Sequence, residues 1–89
     1  MRLLTLGYYV PYIKKDRREG LLAGYDIETP GELNFLITTL CKDYLDQRGL
    51  SYQTINNVIG ALEGAKLEFY RRVAVPFEED AITRNGDIY

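Results

Sequence analysis

The chain reads as a small, mainly α-helical domain. Three features carry that reading: two long runs of apolar residues at three- and four-residue spacing, a helix-start signature before each run, and a short link between them. The first run begins at Thr29-Pro30-Gly31-Glu32. Thr29 is placed to cap, Pro30 suits the first helical position, and Glu32 can complete a capping box. Leu33, Leu36, Ile37, Leu40, Cys41, Tyr44 and Leu45 then form one apolar face, and Gly49 is a natural stop. This predicts a helix over about 30–48.

Ser51 is placed to cap the second helix. Tyr52, Ile55, Val58, Ile59, Leu62, Ala65, Phe69 and Val73 give its apolar stripe, with Lys66, Glu68, Arg71 and Arg72 on the other faces. Pro76 disfavours helical geometry at the residue before it, so this helix is predicted over about 52–75. Two long helices joined by so short a link favour an antiparallel αα-hairpin. Gly60 and Gly64 lie inside the second helix, at a cost of about 1 kcal/mol each relative to alanine. Close approach of another helix would offset that cost; a bend is the plainer alternative.

The flanks are less regular. Gly7 and Pro11 mark residues 1 to about 13 as an extended arm, with Leu3-Leu4-Thr5-Leu6 able to form a short strand. A charged turn follows over 14–24. A short helix around Leu21-Leu22-Ala23 is weakened by Gly20 and Gly24. After Pro76, residues 77–84 are expected to form a short helix ending at Asn85-Gly86. No domain boundary is visible, so residues 1–89 are read as a single domain.

Composition excludes more than it assigns. Eighty-nine residues are few for a full core, and chains of this size usually need a disulfide, a metal or a partner subunit. Cys41 is the single cysteine and histidine is absent, so neither an internal disulfide nor a zinc site is expected. Self-association remains, and a homo-oligomer is expected. A net charge of −2 argues against general nucleic-acid binding. No apolar run reaches the ~20 residues of a membrane span. The faintly signal-like start lacks a small-residue cleavage site, and the lone cysteine fits a reducing cytoplasm.

Without histidine, the commonest general acid–base is missing. Cys41 on an apolar stripe is expected to be inert. No cofactor, metal site or catalytic residue is assigned, and the chain is read as a non-catalytic binding protein. Lys66, Tyr70, Arg71 and Arg72 are the candidate ligand-binding residues, with Tyr8, Tyr9 and Tyr12 as stacking walls. Arginine pairs bidentately with phosphate and tyrosine stacks on bases, so the leading expectation is sequestration of a small phosphorylated or nucleotide-like ligand. A solvated, salt-bridged helix face explains the same cations without a ligand. The alternative function is a protein–protein interaction module. It rests on the eight tyrosines and the acidic Glu78-Glu79-Asp80 stretch. Hydrolysis of a nucleotide ligand by a carboxylate mechanism is a third.

The stretch from Tyr52 through Glu63, then Ala65-Lys66-Leu67-Glu68-Phe69-Tyr70-Arg71-Arg72-Val73, resembles a family of small uncharacterised proteins of phages and bacteria. Pro76-Phe77-Glu78, the Asn85-Gly86-Asp87-Ile88-Tyr89 ending, the Pro11-Tyr12-Ile13 opening and Pro30-Gly31-Glu32-Leu33-Asn34 carry the same resemblance. The resemblance implies no catalytic residues. It implies a phage-type accessory role in the host cytoplasm, such as interference with host defences by blocking a protein or by sequestering a nucleotide signal.

Overall fold

The structure, a computed structural model, describes residues 13–89. The predicted extended arm, with its possible strand and Tyr8, Tyr9 and Tyr12, lies outside the described residues apart from Ile13. The described residues contain helices and turns and no strand: α1 (Lys15–Leu22), α2 (Pro30–Arg48), α3 (Tyr52–Phe69), a π-helical turn (Tyr70–Ala74) and α4 (Val75–Asn85). They fall into two compact units, divided between Gly49 and Leu50.

In the first unit α1 packs against α2. Ile13, Leu21 and Phe35 are buried together, with Leu36 against them. Phe35 stands outside the predicted apolar set of α2, and Leu33 and Leu40 from that set are exposed. The face turned inward is Glu32, Phe35, Leu36 and Thr39. It begins with a charged residue, so apolar spacing alone does not reveal it.

The glycines expected to weaken α1 instead end it. Tyr25 N–H donates to Gly20 O at 2.9 Å and Gly24 N–H to Leu21 O at 3.1 Å, the paired bonds of a Schellman motif. Gly24 has φ 104°, in the left-handed region that favours glycine. The turn lays the Tyr25 ring over Gly20, where a Cβ would overlap the ring carbons.

Helix α2 starts and stops as predicted. The Thr29 hydroxyl accepts Glu32 N–H at 3.1 Å, Pro30 is in the first turn, and Gly49 N–H closes the end on Leu45 O at 2.7 Å. In the second unit Ser51 caps α3 by accepting Thr54 N–H at 3.1 Å.

A separate C-terminal helix begins near the predicted boundary, at Val75, but no break precedes it. The helical path passes Pro76 and continues to Asn85. A proline ring in an α-helix clashes with the carbonyl four residues back and donates no hydrogen bond. Here the preceding turn widens: Val75 N–H reaches back five residues to Tyr70 O. The proline then falls in the first turn of α4, where its missing N–H costs least. The short C-terminal helix is thus a continuation of the second long one.

Within the chain, among the described residues, no helix packs closely at Gly60 and Gly64. A Cβ at either would meet nothing within 4 Å.

Candidate functional site: an uncovered helix face

The unit Leu50–Tyr89 buries Thr54 and no apolar side chain. Its apolar residues are nonetheless ordered along one line. At about 100° per residue, Ile55, Leu62, Phe69 and Val73 lie within roughly 20° of a common direction on α3 and the π-turn, with Val58, Ile59 and Ala65 beside them. Of these, Ile59 is 60% exposed, Leu62 39%, Phe69 66% and Val73 51%. Residues 51–62 carry no charged side chain. Exposed, apolar and charge-depleted is the composition of an interface centre rather than of a solvated face.

The π-turn extends this line. One extra residue in a turn sets everything after it back by about 100°. Without it, Phe77 and Ala81 would stand about 60° and about 100° to one side of Leu62; with it Ala81 returns to the direction of Leu62 and Phe77 lies about 40° away, on the side of Phe69. The Tyr70 hydroxyl reaches Glu78 Oε1 at 3.4 Å, eight residues on, as this shifted register requires. The glycines Gly60 and Gly64 point the opposite way from Leu62.

The predicted ligand-binding residues divide among three acids. Arg71 donates to Glu68 Oε1 at 2.6 Å and Arg72 to Glu68 Oε2 at 3.2 Å, so one carboxylate is held between two guanidinium groups. Lys66 pairs with Glu63 at 3.6 Å, and Tyr70 bonds Glu78. Lys66 does not sit apart from the stripe as expected; it falls on it, between Leu62 and Phe69. The side chains of Lys66, Arg71 and Arg72 are about 70% exposed, so these bridges contribute little stability.

A cavity of about 350 Å³ lies between α4 and the chain end, lined by Glu78, Ala81, Ile82, Gly86, Asp87, Ile88 and Tyr89. Its charged lining is acidic, which does not suit a phosphate, and it contains none of the predicted ligand-binding residues. Among the described residues no cluster of three or more metal-ligating side chains occurs. No helix there is long and apolar enough to cross a membrane.

The most polar structure lies in the first unit. Arg17 Nε and Nη2 each donate to one oxygen of Glu32 at 2.7 Å, Arg17 also reaches Asp26 O at 3.1 Å, and Glu28 N–H donates to Glu32 Oε1 at 2.8 Å. The Arg17 hydrogen bonds, helped by the Glu28 N–H, lower the Glu32 carboxyl to about 2. This pairing is absent from the sequence reading; the one signal for it was an acid at the third helical position. The Arg17 donors and the Glu32 oxygens are matched to one another, so we read the pair as structural, although Nε of the neighbouring Arg18 is buried without a hydrogen-bond partner.

No curated protein and no solved structure matches the chain. Residues 10–88 match the family described as "Domain of unknown function (DUF6899)". That match spans nearly the whole sequence, and the chain belongs to this family.

Proposed function

We propose that the protein is a non-catalytic interaction module that binds a protein surface through the apolar line Ile55–Ile59–Leu62–Phe69–Val73. The observation that supports this is a helical unit of residues 50–89 without one buried apolar side chain. Helix stability in proteins comes mainly from packing an apolar face, so such a face calls for a cover. An inhibitor of a host protein, the role suggested by the resemblance to phage accessory proteins, would use a surface of this kind. The test is a photo-cross-linking residue placed at Ile59 in cells that naturally make the protein, with Gln53 on the opposite face as control. Cross-links to any protein from position 59 and none from 53 are expected. If position 59 captures neither another protein nor a second copy, the reading fails.

A second reading rests on the Arg71–Glu68–Arg72 arrangement. Two guanidinium groups already hold one anionic group, and a phosphate of a nucleotide-like ligand would take the place of the Glu68 carboxylate. Native mass spectrometry with a panel of cyclic dinucleotides and ADP-ribose derivatives tests it. Retention by wild type, tighter retention by Glu68→Gln and loss in Arg71→Ala/Arg72→Ala are expected. No retention of the panel by either wild type or Glu68→Gln removes it.

A further inference from the structure

We infer that the partner covering this face is a second copy of the chain, with the two α3 helices antiparallel about a two-fold axis near Gly64. The inference rests on the interaction reading above and adds the identity and geometry of the partner.

The charge pattern decides the orientation. The stripe Ile55, Ile59, Leu62, Lys66, Phe69, Val73 has the three-and-four spacing of a coiled-coil seam with a single cation in it. A parallel, in-register pair would set Lys66 against the partner's Lys66 in the seam, two like charges in a partly dry setting. It would also align the charged segment 63–72 with itself and the uncharged segment 51–62 with itself. The antiparallel pair removes both conflicts, because each charged half then lies over the partner's uncharged half.

The register follows from the side chains. Centring on Gly64 sets Ile55 opposite the partner's Val73, Ile59 opposite the partner's Phe69 and Leu62 opposite the partner's Lys66. The lysine stem then covers a leucine, and its ammonium lies beside the partner's Glu63 as well as its own, 3.6 Å away. Each layer occurs twice by symmetry, so one chain supplies both halves of every contact. A single cation in such a seam sets orientation and register at some cost in affinity. Gly60 and Gly64 face away from this contact and take no part in it.

The experiment uses the full chain with Cys41→Ser, spin-labelled at Gln53→Cys or at Gly60→Cys, both on the far face. Sedimentation is expected to show a dimer, and Ile59→Asp/Phe69→Asp to weaken it at least tenfold with the helical signal of the labelled chain retained. In the antiparallel pair the labels lie about 33 Å apart along the axis at position 53 and about 12 Å apart at position 60, from 22 and 8 residues at 1.5 Å each. Two such unequal distances support the proposal. Equal distances at the two positions mean a parallel pair and overturn it. A monomer at all concentrations also overturns it. In that case cross-links from Ile59 to a different protein leave the interaction reading standing, and their absence removes both.

Discussion

Arg17 and Glu32 are joined by two hydrogen bonds of 2.7 Å, one to each carboxylate oxygen, across the contact between α1 and α2. The pair sits at the edge of a core of three buried apolar residues, Ile13, Leu21 and Phe35. It fixes the angle at which the chain enters α2, because the same carboxylate also accepts Glu28 N–H just before the helix start. A bidentate, part-buried pair of this kind is more consequential than the exposed bridges of α3.

A pH dependence follows. The Glu32 carboxyl is held at about 2, below its ordinary value of 4.5. A depressed acid stabilises the folded state above its unfolded value and loses that contribution as pH falls through its folded value. The thermal midpoint of the first unit is therefore expected to fall between about pH 4.5 and pH 2. In Glu32→Gln the midpoint at pH 7 is lower, and this part of the acid dependence is flat. Circular dichroism melts across that range check it.

Removing the cap of α3 should cost stability. Ser51→Ala deletes the acceptor for Thr54 N–H, a loss of about 1 kcal/mol at a helix N-terminus. Ser51→Asp keeps an acceptor and should recover most of it. Chemical denaturation of the two variants beside wild type gives the comparison.

The interior glycines separate into two kinds. Gly60→Ala and Gly64→Ala meet open space and should each stabilise α3 by up to about 1 kcal/mol, leaving self-association unchanged. Gly20→Ala drives a methyl into the Tyr25 ring, and Gly24→Ala must hold φ 104°, so both should lower the melting midpoint. Melts of the four variants settle the division, and a loss of stability in Gly60→Ala would point to a cover on that face.

Pro76→Ala removes the reason for the widened turn. The helix should gain up to about 3 kcal/mol as the π-turn closes to α geometry. Phe77 would then swing away from the line of Leu62 and Phe69, and the Tyr70–Glu78 hydrogen bond would break. Raised helical stability measured by denaturation, together with weaker association measured by sedimentation, is the expected outcome.

The caps made α2 legible to the residue: Thr29, Pro30 and Gly49 each act through local backbone geometry that spacing in the sequence reports directly. Ser51 acts in the same way for α3. The core was less legible, because Phe35 and Glu32 are chosen by a contact with α1 that lies across a turn, and periodicity within α2 cannot register it. Pro76 marked the boundary near residue 75 but did not reveal that the chain runs through it without a break. A proline stops an α-helix, but a turn that widens by one residue lets the chain pass it. The cations were found correctly as cations. Their acid partners Glu63 and Glu68 came from within the same helix, which spacing permits but does not require.

The widened turn at Tyr70–Ala74 also bears on how relatives of this chain can differ in length. Deleting one residue there yields an ordinary α-helix in which Phe77 and Ala81 keep their alignment with Leu62, provided the proline goes too. Deleting the residue alone would put the pyrrolidine ring against a carbonyl. Replacing the proline alone would leave the face misaligned. The additional residue and Pro76 are thus gained or lost together, and family members one residue shorter in this turn should carry a helix-forming residue where this chain has its proline.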